Sequence, residues 1–375
     1  MKKKILFICE SLGGGVRRHI VDVLSELNKN EFDIFLIYNP KRSDKVFIKN
    51  KKKFIENNIK LYPLIMEREI SLKDINAFIN IFLLMRKIKP DIVHCHSSKA
   101  GALGRIAAFL TRRKAVYYTP HAYIMQTPNV RPFKKKVYML IEKLLGYITS
   151  ITINVSFGER NFAINNRIVR KNKTKVIYNG ISPNNTAKLE YNLKKEIIIG
   201  TVARMDEQKD PLSFYKIASN VVNHNPNVKF YYVGDGPLKH KLEKKIKLDG
   251  LNDKIILTGF QEDVSEYLKK FDIFLLTSKY EGLPYSLIEA ISYGIPIVAT
   301  NIIGNNEIVI DGINGYTFDI NDISLAEEKI CYLIKNPKEI SNLGKNGYCI
   351  FNEKFTLDKM IQSLEKLYRS SECEE

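Results

Sequence analysis

Tryptophan is missing from all 375 residues, and so is any Asp-x-Asp triplet. The second absence matters more. Two carboxylates at that spacing make an oxygen cradle for a hard cation carrying a phosphate group, so a diphosphate bound by this chain would need neutralising by other means. Cysteine is scarce: five residues, at 9, 95, 331, 349 and 373, with no Cys-x-x-Cys pair. That excludes a zinc ribbon and a disulfide framework, and it reads as free thiols in a reducing cytosol. No apolar run reaches the roughly 18–20 residues of a membrane span; the nearest, Ala77 to Met85, is short and broken by Asn80. The start, Met1-Lys-Lys-Lys4, resembles the head of an export signal, but its apolar run ends at Cys9-Glu10, so no export segment is expected.

Acidic residues are short in one half only. Residues 1–180 carry 35 Lys and Arg against 13 Asp and Glu, a net of +22; the remainder carries 24 against 28, a net of −4. A half this basic suits a polyanionic neighbour, whether nucleic acid, an anionic membrane or a phosphorylated substrate. The plain alternative is a Lys-rich composition without a partner. Nucleic acid fits poorly despite a pI near 9.4, because no zinc-finger spacing, RNA-sheet aromatic motif or basic heptad helix is present.

What is present is alternation. Lys4 to Cys9 is a continuous apolar run, expected as a buried parallel strand. Ser11-Leu-Gly-Gly14-Gly15 follows it, and then a helical pattern in Val16, Ile20, Val21, Leu24 and Leu27. Further strands are expected at Phe32–Tyr38, Ile59–Tyr62, Asp91–His94, Ala115–Thr119 and Ser150–Val155, with helices at about 71–88, 99–112 and 133–148. The glycines match neither a dinucleotide fingerprint nor a P-loop. His94 and His96 invite a metal reading, but they sit at i and i+2 on a strand end with no Asp, Glu or third His nearby, so no metal is expected. His96, Ser97 and Ser98 instead read as a helix cap with Lys99 at its mouth. Helix 133–148 mixes Lys134, Lys135 and Lys136 with large apolar residues, and reads either as an amphipathic surface helix or as a membrane-contacting one.

Asn179 to Thr186 is rich in turn formers and reads as a linker. Beyond it the pattern restarts with the strand run Glu196 to Ala203, followed directly by Arg204 and Lys209, a planar fork and a point charge suited to phosphate oxygens. Val233-Gly234-Asp-Gly-Pro237 and Leu257-Thr-Gly-Phe260 are further strand-to-helix turns. The richest stretch is Glu281-Gly282-Leu283-Pro284-Tyr-Ser286-Leu-Ile-Glu289. It follows a strand run, and Pro284 is expected at the first helical position. A helix start at the carboxyl end of a strand is a ready anion site, while the two flanking acids suit sugar hydroxyls.

Two Glu residues so spaced, with Gly after the first and Ser-Leu-Ile before the second, resemble the retaining glycosyltransferases of family four. The Arg204–Lys209 loop supports this, and the His94–Gly101 segment is similar to members that build capsular and exopolysaccharide units. The resemblance covers nearly the whole chain and is best over residues 196–310. It implies an α/β GT-B fold, two doubly wound Rossmann-like domains facing across a cleft: 1–183 on the acceptor side, 190–355 for the nucleotide sugar, and 356–375 a helix crossing back to the first. It implies retaining, metal-independent transfer of a hexose or N-acetylhexosamine from a nucleotide-diphosphate sugar, with a UDP-sugar as the expected donor. The acceptor would be a lipid-diphosphate-linked glycan at the inner face of the cell membrane. Arg204 and Lys209 would grip the diphosphate, Glu289 the ribose, and Glu281 the donor sugar, with His121 near the reacting carbon; a hydrogen-bonded turn histidine is the plain alternative for His121. Gly14, Gly15, Gly234, Gly282, Leu283, Pro284 and Ser286 would line the donor, and His96 and Lys99 the acceptor. No cofactor and no nucleic acid are expected. Asn305 stands where many relatives have a second glycine. A nucleotide-sugar epimerase or hydrolase on the same fold, or a non-catalytic basic binding protein, would share many of these features.

Overall fold

A computed structural model describes residues 2–67, 71–128, 130–184, 186–187 and 196–370. Asn185, Cys373 and the expected domain edge at residue 190 lie outside them. Two compact units emerge: Met1–Asn179 together with Leu357–Glu375, and Gly180–Thr356. The break falls after Asn179 for a local reason. The Ile181 N–H donates to the Phe355 carbonyl at 3.0 Å, and Asn184 Nδ2 donates to the Ser292 carbonyl and hydroxyl at 2.9 Å. The turn-rich stretch is therefore anchored to the second unit.

In the first unit the strands are β1 Lys3–Cys9, β2 Phe32–Tyr38, β3 Lys60–Pro63, β4 Ile92–His96, β5 Ala115–Thr119, β6 Ile151–Asn154 and β7 Thr174–Val176. They pair in parallel in the order β3-β2-β1-β4-β5-β6-β7. The helices are α1 Gly14–Glu26, α2 Lys45–Glu56, α3 Lys73–Ile88, α4 Ser98–Leu110, α5 Pro132–Tyr147 and α6 Phe157–Asn165. The apolar residues of α1 and α2 pack one face of the sheet, and residues of α3, α4 and α5 pack the other. Burial on both faces explains why the strands read as unbroken apolar runs.

The second unit repeats the plan with β8 Ile197–Val202, β9 Val228–Val233, β10 Ile255–Gly259, β11 Ile273–Leu276, β12 Ile297–Thr300 and β13 Gly315–Phe318, in the order β10-β9-β8-β11-β12-β13. Its helices are α7 Pro211–His224, α8 Lys239–Leu248, α9 Ser265–Leu268, α10 Tyr285–Ser292, α11 Asn305–Ile308, α12 Ile323–Lys335 and α13 Pro337–Lys354. The final helix, α14 Leu357–Arg369, places Leu357, Met360, Ile361, Leu364, Leu367 and Tyr368 on one stripe. That stripe enters the core of the first unit beside α1. Cys9 and Cys95 are buried free thiols that burial pushes up to about 12, and Cys331 and Cys349 are also free.

Both sheets reverse their strand order once, between β1 and β4 and between β8 and β11. At such a switch point the loops leaving the carboxyl ends of the two central strands diverge and open a crevice. The residues singled out in the sequence gather at these two places.

Candidate active site

In the second unit, β8 delivers Arg204 and the loop to Lys209, while β11 delivers Ser278 to Gly282. Asp206 shapes the first loop, its Oδ1 accepting from the N–H groups of Gln208 and Lys209 at 3.1 Å. Thr277 Oγ1 donates to the Lys209 and Asp210 carbonyls at 3.0 Å, and the Lys279 N–H reaches the Gln208 carbonyl at 2.8 Å. These bonds stitch the two loops together. The Lys209 ammonium then pairs with the Glu281 carboxylate, both side chains nearly buried. Gln208, absent from the residues singled out above, joins the set: Nε2 donates to the Tyr280 carbonyl at 3.0 Å, and Oε1 accepts from Arg204 Nη2 at 3.0 Å. Arg204 also pairs with Asp206 at 3.0 Å but remains 61% exposed. Its fork faces solvent, whereas the Lys209 charge is held inside.

Helix α10 begins one residue later than expected. Pro284 is its N-cap in an extended conformation (φ −74°, ψ 123°), not its first helical residue. Ser286 follows in the first turn with a buried Oγ that has no hydrogen-bond partner among the described residues, and so does Ser278 beside it in the loop. Glu289 lies half-buried on the same helix. The loop after β12 leans on this turn: Gly304 has φ +86°, and a Cβ there would stand 2.4 Å from the Gly282 carbonyl oxygen. Next to it, Asn305 is fully buried and donates through Nδ2 to the Thr300 carbonyl and hydroxyl at 3.0 and 3.2 Å. Thr300 Oγ1 donates in turn to the Ser278 carbonyl at 2.6 Å. The Asn305 side chain thus braces the turns after β11 and β12. Gly234 (φ +148°) brings backbone so close that a Cβ would meet the Ala203 carbonyl oxygen at 1.9 Å. Its N–H donates to the Gly259 carbonyl at 2.9 Å, joining the turns after β9 and β10.

In the first unit, Gly14 opens α1 at φ +58° with open space around it, and Gly15 is the next helical residue. Strand β4 runs two residues further than expected, so His94 and His96 are both on it and fully buried. His96 faces His121, Nδ1 to Nε2 at 3.1 Å. The expected cap on α4 is also different. Ser97 is the N-cap at φ +68° and makes no capping bond; Glu10 Oε2 accepts from the Ala100 N–H at 3.2 Å and supplies the negative charge that a helix start favours. Lys99 is committed elsewhere, its ammonium 2.9 Å from both oxygens of Asp74 on α3 and nearly buried.

The expectation of no third histidine near His96 fails in space. His19 from α1 and His121 from the turn after β5 both reach it, with ring centroids 5.5 and 5.3 Å away. His121 and Ala122 have left-handed backbone (φ +56° and +82°), unusual for residues with a Cβ and a mark of held strain. Burial drives all of these imidazoles to the neutral form. His19 is lowered to about 4 by burial, against the raising effect of its hydrogen bond to Asn179. His94, His96 and His121 are held well below the ordinary value by burial and then by the charge of neighbouring histidines: His19 for His94, His94, His121 and His19 for His96, and His19 and His94 for His121. Sequence offered one hint of His19, its place in the first turns after the glycine loop, and none of Gln208.

The profile described as Glycosyltransferase Family 4 matches residues 13–185, and that described as Glycosyl transferases group 1 matches residues 184–349. The UDP-Gal:alpha-D-GlcNAc-diphosphoundecaprenol alpha-1,3-galactosyltransferase of Escherichia coli is 29% identical over 94% of this chain and 93% of its own. The capsular polysaccharide biosynthesis glycosyltransferase CapM of Staphylococcus aureus is 27% identical over 81% and 83%. Among solved structures, Anabaena HepE in complex with UDP and glucose superposes with a TM-score of 0.81 at 20% identity, covering 98% of this chain and all of the other.

Proposed function

Because this chain belongs to the group 1 glycosyl transferases and has the GT-B fold, we propose that it moves a hexose or N-acetylhexosamine from a UDP-sugar to a lipid-diphosphate-linked glycan, retaining anomeric configuration and using no Mg²⁺ or Mn²⁺. One observation carries the reading: the Arg204–Gln208–Lys209–Glu281 network beside the start of α10, at the switch point of the second sheet. Breaking the bond from the anomeric carbon to the phosphate oxygen places negative charge on the leaving diphosphate, and fixed donors aimed at that charge lower the barrier. Arg204, Lys209, the first N–H groups of α10 and the Ser286 hydroxyl are that set. Glu281 takes hydroxyls of the sugar and Glu289 those of the ribose. In the second unit the turns at Gly234 and Gly282–Pro284 line the donor; in the first, Gly14–Gly15, His121, His96 and Lys99 keep the donor and acceptor roles that the resemblance implies. In retention by front-face attack, the acceptor hydroxyl bonds the anomeric carbon on the face the diphosphate leaves, and its proton passes to the leaving phosphate oxygen. The lipid-linked acceptor and the UDP donor are suggested by the galactosyltransferase relative, whose name specifies both.

The test is a thermal-shift panel of nucleotides and nucleotide sugars on chelator-treated protein. Melting should rise with UDP-sugars, stay the same when Mg²⁺ or Mn²⁺ is added, and lose the rise in Arg204→Ala. No shift with any nucleotide overturns the reading. UDP release without acceptor would identify a hydrolase instead.

The membrane is proposed as the second partner. Helices α3, α4 and α5 cover one face of the first sheet, and their outer sides expose Leu83, Phe109, Phe133, Leu140 and Leu144 at 55–76%. Lys134 and Lys136 stand exposed among them, with Lys135 half-buried. No helix among the described residues is long and apolar enough to cross a bilayer. Apolar side chains at headgroup depth with lysines around them suit an anionic surface, at about 1 kcal/mol per lysine. Replacing Lys134, Lys135 and Lys136 with Glu should weaken sedimentation with anionic vesicles by at least about a hundredfold. Equal binding by the variant would remove the membrane from this reading.

A further inference from the structure

We propose that His19, His96 and His121 form a binding site for a first-row transition-metal ion of the Zn²⁺ kind. The three side chains come from three elements, α1, β4 and the turn after β5, and one ring nitrogen from each lies within 4.8 Å of the other two. Zn–N bonds of about 2.0–2.1 Å put tetrahedral neighbours roughly 3.3 Å apart. His96 Nδ1 and His121 Nε2 are already 3.1 Å apart, so the main adjustment falls to His19.

His94 provides an internal comparison. It lies against His96, ring centroids 4.0 Å apart, yet both of its nitrogens are occupied, Nδ1 with the Tyr368 hydroxyl at 2.7 Å and Nε2 with Thr119 Oγ1 at 2.8 Å. That is a satisfied structural histidine. His19 keeps a buried Nε2 with no hydrogen-bond partner among the described residues, a condition that costs free energy unless a ligand relieves it. His19 Nδ1 donates to Asn179 Oδ1 at 3.2 Å, which leaves Nε2 as the bare lone pair. Metal-binding imidazoles are held in this way, by a hydrogen bond from the ring nitrogen that does not ligate. The third group, His121, is kept in left-handed backbone while the next N–H, of Ala122, donates to Glu159 Oε1 at 2.6 Å. Two independent features therefore converge: the unpartnered Nε2 of His19, and strain that sets the His121 ring against His96 Nδ1.

The ligand class follows from the donors. Imidazole nitrogens without a carboxylate suit Zn²⁺, Co²⁺, Ni²⁺ or Cu²⁺ and not Mg²⁺ or Ca²⁺, which take oxygen. A bound ion would tie α1 to β4 and to the turn after β5, fixing the orientation of His121. All ligands and Asn179 belong to the first unit, whereas diphosphate capture concerns residues of the second; the proposed transfer also uses His96 and His121, but the nucleotide thermal shift and Zn²⁺ uptake read different residues and so fail separately.

The test uses the full chain in a background of His224→Ala, His240→Ala, Cys349→Ser and Cys373→Ser, which removes the exposed histidines and the exposed thiol of the described residues together with the terminal cysteine. Co²⁺ titration should raise the visible d–d absorption of a tetrahedral site, and calorimetry should count one Zn²⁺ per chain. His19→Ala or His121→Ala should abolish both signals with circular dichroism unchanged. Asn179→Ala should weaken Zn²⁺ about 10- to 100-fold while keeping the stoichiometry. No Co²⁺ band, or Zn²⁺ uptake that His19→Ala and His121→Ala leave unchanged, overturns the proposal.

Discussion

Lys209→Ala should lower the turnover of sugar transfer by about 10²- to 10³-fold, the usual effect of removing one fixed donor from a site where charge develops. The side chain is nearly buried and paired with Glu281, so its loss does two things. It removes the positive charge that the proposed function assigns to the leaving diphosphate, and it leaves the Glu281 carboxylate uncompensated beside that proposed site. Both effects act on the transition state, so kcat should fall more than KM rises. Arg204→Ala should behave differently. Arg204 is largely exposed and bonded only at its edge to Gln208 and Asp206, so the expected change is mainly a raised KM. Lys209→Arg should recover little, because a planar fork does not fit a cavity shaped around a point charge. The check is steady-state kinetics on variants whose melting curves match the parent. Equal kcat losses for Arg204→Ala and Lys209→Ala would contradict this division of labour.

The strands were legible because burial on both faces leaves no polar alternation to confuse them. Ala115 to Thr119 is read and found with the same ends, and Lys4 to Cys9 begins one residue earlier. Turns at a switch point are legible too, since chemistry-bearing residues right after apolar runs must collect where those strands end. That is how Arg204, Lys209 and Glu281 come together from positions more than seventy residues apart. Pairings were not legible. Nothing near Lys99 in sequence points to Asp74, and nothing near Lys209 chooses Glu281 over solvent. The expected cap at His96 shifted because β4 runs two residues further, which places His96 on the strand and leaves Ser97 as the N-cap. His19 was missed because its partners reach it only through the packing of α1 on the sheet. Element type is local information; which charged or ring group meets which is not.

One long-range pairing decides stability, and Arg105→Ala should cost about 3–5 kcal/mol. Arg105 on α4 is 1% exposed, and its guanidinium lies 3.8 Å from the Tyr118 ring centroid. Nε donates to the Gly101 carbonyl at 2.7 Å and Nη2 to Glu142 Oε2 on α5 at 2.9 Å, while the Tyr118 hydroxyl donates to Glu142 Oε1 at 3.1 Å. Removing the cation strands the Glu142 charge in the core with a single neutral donor, and desolvation that the pair had offset becomes a net loss. A fall in melting temperature of roughly 10 °C should accompany it. If stranded charge is the cause, Arg105→Met combined with Glu142→Gln should be much less damaging than Arg105→Ala alone, since no ion then remains unpaired. If lost packing over Tyr118 is the cause, the double variant should be no better than the single one. The first outcome is expected, because Glu142 is buried and the described contacts show no second cation on it. The same pair ties α4, which leads away from His96, to α5, which carries the exposed lysines. Arg105→Ala should therefore also weaken vesicle binding, although no lysine of that face has been changed.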